Sequence, residues 1–282
     1  MSAPLQPRSQ HLVPPGIAAR RPLGREEFVA FDTETTGLWW AERLVEIAAV
    51  RFRGDEVLGR WSALVNPGRP MPEHVVPIHG IDDAMVRDAP DAATALEGFR
   101  AFAAGATLLA HHARFDRDIV AAEFARAGSA PPDAPIYCTL ALARREIPES
   151  PRHGLVKLSA FLGVGAAEGP HRAAQDAEQT RRVFLACAQR MGAEATLDAL
   201  PPPRRFDGGP RALRRWPKRL RGARRAMLRG GEVVVALRGG GSLRGVIVAA
   251  LERHGELALD LLTAEGRRGL RASRVASVRR VR

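Results

Sequence analysis

Two carboxylates two positions apart, Asp32 and Glu34, close the apolar run Phe28-Val29-Ala30-Phe31 in the segment Phe31-Asp32-Thr33-Glu34-Thr35-Thr36-Gly37. Side chains alternate along a strand, so both acids emerge on one face. Acids held that close repel each other unless a cation neutralises them, and oxygen ligands of this type suit Mg²⁺ or Mn²⁺. Two further segments offer acids. In Leu108-Leu109-Ala110-His111-His112-Ala113-Arg114-Phe115-Asp116 a short buried strand runs into a helix, with Asp116 near the helix start. In His171-Arg172-Ala173-Ala174-Gln175-Asp176, preceded by Gly169-Pro170, His171 stands on the approach to a long helix and Asp176 about one turn inside it. Taken singly, each has an ordinary reading: a solvated turn for Asp-x-Glu, a dipole partner for an acid in a first helical turn. Together they offer four carboxylates and one imidazole for a divalent-metal site.

The elements that must position these residues follow from apolar spacing. Strands are expected at Phe28–Phe31, Leu44–Phe52 and Val57–Val65, with Arg53-Gly54-Asp55 as the turn of an antiparallel meander. Helical spacing covers Leu96–Ala103, Phe115–Ala127, Leu140–Glu146, Leu155–Leu162 and Ala173–Met191, with short strands at Thr107–Ala110 and Ile136–Cys138. The fold class is α/β, a mixed sheet flanked by helices. Residues 1–24, proline-rich and without periodicity, read as a mobile arm without the apolar core of a secretory signal. The acid-bearing unit then spans 25–192.

Pro201-Pro202-Pro203 and Gly208-Gly209-Pro210 mark a basic linker over 193–230, helical in part within Arg211–Arg229. Short β runs at Glu232–Leu237, Leu243–Ala250, Leu257–Leu262 and Val275–Val281, with glycine-rich turns, suggest a small basic barrel-like β domain over 231–282.

The chain has 282 residues, 45% hydrophobic and 26% charged, which excludes wholesale disorder and a membrane bundle. Two cysteines, Cys138 and Cys187, cannot make a disulfide framework in a chain this long, so a reducing cytoplasm is the expected setting. The net charge of +12 is unevenly divided: residues 1–203 carry 22 basic and 25 acidic side chains, residues 204–282 carry 21 and 6. The basic tail favours a polyanion such as nucleic acid.

The three acidic segments resemble the three motifs of the DEDDh 3′–5′ exonucleases, the family that includes the proofreading epsilon subunit of bacterial DNA polymerase III. Asp32 and Glu34 match the first motif, Asp116 the second and Asp176 the third. His171, five positions before Asp176, has the spacing of the histidine subclass; the tyrosine subclass carries its residue where this chain has Arg172. His79-Gly80-Ile81 matches a segment common between the first two motifs. The chain departs where the family usually has His-Asn, at His111-His112. The resemblance covers Glu26–Met191 and implies a ribonuclease-H-like fold. The last β region faintly resembles the SH3-like barrel of WYL domains, without their signature tripeptide.

The resemblance implies two Mg²⁺ or Mn²⁺ ions held by Asp32, Glu34, Asp116 and Asp176, with His171 as general base for the attacking water. It implies contact with the terminal nucleotide from Thr35, Thr36 and Leu38, and from His79 and His112. Trp39 or Trp40 could stack on a base, and Arg267, Arg268, Arg271 and Arg274 could hold single-stranded nucleic acid. The expected partner is single-stranded or 3′-frayed DNA, with a DNA polymerase or repair partner and no membrane. An exoribonuclease, or an inert nucleic-acid-binding or polymerase-docking module, would be the alternatives.

Overall fold

The four apolar residues Phe28–Phe31 are fully buried, as a strand covered on both faces must be. In the computed structural model, which describes residues 21–37, 42–165, 170–206, 220, 223, 232–253 and 256–281, they lie in β1 (Glu27–Thr35) at the centre of a five-stranded sheet. β2 (Leu44–Arg53) and β3 (Glu56–Leu64) pair antiparallel on one side of it. β4 (Thr107–Ala110) and β5 (Ile136–Cys138) follow in parallel on the other, giving the order β3-β2-β1-β4-β5. The expected meander and mixed sheet are therefore present.

The helices are α1 (Val76–His79), α2 (Asp83–Val86), α3 (Ala92–Phe102), α4 (Arg114–Ala127), α5 (Thr139–Glu146), α6 (Leu155–Phe161) and α7 (Ala173–Met191). Their distribution follows the alternation of β1. Val29 and Phe31 face one core with Leu96 and Phe99 of α3 and Ile119, Val120 and Phe124 of α4. Phe28 and Ala30 face the other, with Leu142 of α5, Leu158 of α6 and Val183 and Phe184 of α7. The Phe28 ring lies 4.6 Å from that of Phe184 and 5.6 Å from that of Phe52. Asp32 and Glu34 continue the parity of Phe28 and Ala30, so they emerge on the α7 side, whereas Thr33 emerges toward α4.

The residues read as the start of a linker pack on this body. Leu197 and Leu200 join the α7-side core, Phe206 joins the α4-side core, and Arg204 exchanges two 2.7 Å backbone hydrogen bonds with Ile136. The proposed basic helix over 211–229 lies outside the described residues apart from Leu220 and Ala223, as do residues 1–20 of the arm.

A second sheet comprises β6 (Glu232–Leu237), β7 (Ser242–Arg253), β8 (Glu256–Thr263), β9 (Gly266–Arg271) and β10 (Val275–Arg280), in the order β10-β6-β7-β8-β9. A 3-10 turn of three residues, Ala272–Arg274, carries the chain from one edge to the other. Laid flat, those edges would stand four strand spacings apart, about 19 Å, while a 3-10 turn rises only about 2 Å per residue. The sheet must therefore curl strongly, with Val233, Val235, Leu259, Leu261, Val275 and Val278 buried. No ladder joins β9 to β10 among the described residues, so this is an open curled sheet and not the closed barrel its short strands suggested.

Phe28→Ala should lower the unfolding free energy by about 3–5 kcal/mol, read from the denaturant midpoint, because the ring is fully buried between two others.

Candidate active site

The carboxyl ends of the parallel strands β1 and β4 open on the same side of the sheet, and a cleft of about 230 Å³ lies there. It is lined by Asp32, Thr33, Glu34, Ile78, His111, His112, Phe115, Asp116, His171 and Asp176. Carboxylate oxygens of Asp32, Glu34 and Asp176 all lie within 4.8 Å of one another. The fourth acid, Asp116, reaches the same cleft from α4, where its Oδ1 accepts a 2.8 Å hydrogen bond from the Thr33 hydroxyl.

His171 Nδ1 lies 2.9 Å from Asp176 Oδ2. A carboxylate only accepts, so in the neutral ring Nδ1 carries the hydrogen and Nε2 keeps a lone pair. The other oxygen, Asp176 Oδ1, is buried without a hydrogen-bond partner. One carboxylate thus orients the imidazole and retains an oxygen free for a cation. The donor set and the orphaned oxygen fit a divalent metal.

Burial and mutual repulsion act on these acids in the same direction. Asp32 is raised well above the usual carboxylate range, first by burial and then by Asp116, Asp176, Glu34 and Glu46. Glu34 is pushed up to about 8 by burial, then by Asp176, Glu46 and Asp116, against the pull of Arg172. Asp116 rises to about 7 through burial, opposed by the Thr33 hydrogen bond.

The two histidines of the second motif differ. His111 Nε2 lies 2.8 Å from the His153 carbonyl and can only donate there, so Nδ1 accepts from the Thr139 hydroxyl at 3.0 Å. Burial pushes its pKa down to about 4. His112 is exposed in the cleft with φ 65°, and among the described residues it alone combines a side chain with positive φ. Histidine, asparagine and aspartate are the types enriched in that region, which accounts for either Asn or His at this position.

The residues expected at the terminal nucleotide are arranged less directly. Thr35 and Thr36 are buried: the Thr35 hydroxyl bonds the Gly37 carbonyl, and that of Thr36 bonds Glu42 Oε2 at 2.8 Å. Their hydroxyls thus close the turn after β1, and Arg69 adds to the same group through Glu42. His79 is 2% exposed, with Nδ1 accepting from the Ile81 amide at 3.0 Å, and does not line the cleft. Leu38, Trp39 and Trp40 lie outside the described residues. Gly80 ends α1 at φ 70°, where a Cβ would come within 3.3 Å of Pro170. This glycine lets the 76–80 segment lie against the stretch before His171, whose amide bonds the Ile78 carbonyl at 2.8 Å.

Sequence reasoning missed Ile78, an exposed apolar residue in the cleft, and Glu46, buried on β2 opposite Glu34. The signal for Glu46 was a lone acid within Leu44-Val45-Glu46-Ile47-Ala48; Ile78 had none beyond its neighbour His79.

A mixed five-stranded sheet with an acid cage and a carboxylate-oriented imidazole at its strand ends gives a ribonuclease-H-like fold whose donor set suits a divalent metal. The chain belongs to the exonuclease (RNase T) family, whose model matches residues 29–184. It is 39% identical over 172 residues to a DNA polymerase III subunit epsilon-like protein of Rhodobacter capsulatus, covering 59% of this chain and 24% of that protein. It is 35% identical over 174 residues to the PolC-type DNA polymerase III of Oceanobacillus iheyensis, covering 61% of this chain and 12% of the polymerase. The match thus spans an eighth to a quarter of these relatives. The nuclease domain of 3′hExo, a DEDDh family member bound to rAMP, shares the fold with a TM-score of 0.55 at 14% identity, covering 64% of this chain and 98% of that domain.

In chelator, stability should fall as pH rises. Glu34 and Asp116 have ordinary values of 4.5 and 3.8 and folded values of about 8 and 7. Within that window the folded state binds more protons than the unfolded one, so stability is lost toward alkaline pH. Thermal melts at pH 5.5 and 8 should show a lower midpoint at pH 8, a larger rise there on adding Mg²⁺ or Mn²⁺, and a flatter dependence in Glu34→Gln. A midpoint independent of pH in chelator would contradict this reading.

Proposed function

We propose that the protein is a divalent-metal-dependent 3′–5′ exonuclease that removes nucleoside monophosphates from the 3′ end of DNA, in proofreading or repair. The observation that carries this reading is the convergence of Asp32, Glu34 and Asp176 within 4.8 Å beside a histidine bonded to Asp176. DNA is favoured because the relatives at 35–39% identity are named as DNA polymerase III proteins. A DNA polymerase or repair complex is the partner this implies. Cys138 and Cys187 are free thiols, in keeping with a cytoplasmic setting. No helix among the described residues is long and apolar enough to cross a membrane.

In this reading Asp32, Glu34 and Asp176 hold the cations, with Asp116 completing the set. Two such ions, Mg²⁺ or Mn²⁺, would lower the pKa of the attacking water and neutralise charge on the leaving oxygen. His171 takes the proton of that water at Nε2. Its side chain is 46% exposed, which keeps the ring in reach of solvent for release of the proton. Thr33 holds Asp116 in place through its hydroxyl. His112 and Ile78, both exposed in the cleft, meet the terminal nucleotide.

The nuclease unit extends through Phe206, and the second sheet serves as an electrostatic anchor for the strand. Arg271 and Arg274 are exposed there, and Arg238 joins them because its amide bonds the Arg274 carbonyl at 2.9 Å. Arg268 is exposed as well but paired with Glu265, and the Arg267 side chain lies outside the described set.

With 3′- and 5′-labelled DNA and RNA oligonucleotides, the wild type should shorten DNA from the 3′ end only with Mg²⁺ or Mn²⁺. Asp32→Ala and Asp176→Ala should lose this trimming while remaining folded by circular dichroism. His171→Ala should lower turnover by about 10²–10⁴-fold. Full activity in either aspartate variant would overturn the site, and a preference for RNA would replace DNA as the substrate. Replacing Arg238, Arg271 and Arg274 by alanine should weaken binding of long single strands. The slope of log affinity against log salt should shrink by roughly 0.7 for each phosphate that the variant no longer neutralises. An unchanged slope would remove the second sheet from substrate binding.

A further inference from the structure

Helix α7 begins without a cap of its own. Arg172 occupies the N-cap position with extended backbone and makes no side-chain cap bond. The first helical amide, Ala173 N, instead donates to Glu46 Oε2 at 2.9 Å, from a strand 127 residues earlier in the chain. The same carboxylate receives the Arg172 guanidinium as a fork, Nη2 to Oε1 at 2.6 Å and Nε to Oε2 at 3.0 Å. On the other flank, the His171 amide is held by the Ile78 carbonyl. The backbone on either side of the His171 side chain is therefore tied to fixed parts of the fold.

Stability alone does not call for an acid here. Serine, threonine, asparagine or aspartate at position 172 would cap the helix locally. Glu46 is 3% exposed and lies directly opposite Glu34 across the β1–β2 ladder, an arrangement that is destabilising for like charges. What the carboxylate provides, and a local cap would not, is a rigid tie between the sheet that carries Asp32 and Glu34 and the segment that carries His171.

We propose that Glu46, through its fork with Arg172 and its bond to the Ala173 amide, is a positioning residue that aligns His171 over the acid cage. This rests on the role of His171 as general base. Glu46 is buried and does not line the cleft, so it acts through the start of α7.

Glu46→Gln retains an acceptor for the Ala173 amide and removes the charge that holds the fork. It should lower kcat by about 10–100-fold, the range found for groups that orient a site's ligands from outside, with KM within about twofold and a cooperative thermal transition. Arg172→Lys, which keeps the charge but not the planar fork, should give a smaller loss in kcat. If Glu46 works through His171, the Glu46→Gln/His171→Ala double variant should be no slower than His171→Ala alone, since coupled sites are not additive. Losses that multiply, or a Glu46→Gln protein with unchanged kcat, would overturn the positioning role while leaving the base assignment standing. A His171→Ala protein at full rate would overturn the base assignment and, with it, any role exerted through that ring. Should Glu46→Gln fail to fold, the same cycle run with Arg172→Lys decides between these outcomes.

Discussion

Three carboxylates brought within 4.8 Å of one another in a largely buried cleft repel strongly, and the body built on the first sheet holds them there. The force that opposes the repulsion is apolar burial a few residues away. Phe28 and Ala30 lie on the same face of β1 as Asp32 and Glu34, and they anchor that face against Phe184 and its neighbours on α7. The helix that closes the core is therefore the one that delivers Asp176. Phe31 and Val29 do the same on the opposite face with α4, which delivers Asp116 to the Thr33 hydroxyl. Packing and chemistry share one strand, and the alternation of its side chains assigns each acid to its helix.

Much of this was legible in the chain. The run Phe28–Phe31 announced a doubly covered strand, and the spacing over Ala173–Met191 matched α7 to the residue. Other elements carried no such signal. Helices α1 and α2 have four residues each, less than the span over which helical periodicity can be recognised. β9, with the sequence Gly-Arg-Arg-Gly-Leu-Arg, lacks apolar alternation and is a strand because β8 offers it a partner. The curl of the second sheet depends on how few residues join its edges, a three-dimensional constraint invisible to strand counting.

The five residues of the cage and its histidine were legible because each motif is local and their order along the chain is informative. Glu46 was not, since its role exists only once β2 has been registered against β1 and α7 docked on both. The hydroxyls of the threonines after the first motif turn inward to Gly37 and Glu42. A hydroxyl next to a tight turn has a backbone or carboxylate partner at hand, and no reading of residue type alone tells it apart from one aimed at a ligand. His112 shows the converse, a residue whose backbone conformation explains its identity better than its side chain does.

Supplying the cap of α7 from β2 has a bearing on how this scaffold can change. When a helix is capped by its own preceding residue, that position is restricted to a few side-chain types. Here the amide at the helix start is satisfied by Glu46, and Gly80 seats the α1 segment against Pro170. Position 172 is thereby released from the need for a capping side chain. A change at Glu46 on β2 would thus be felt at the start of a helix 127 residues further along the chain.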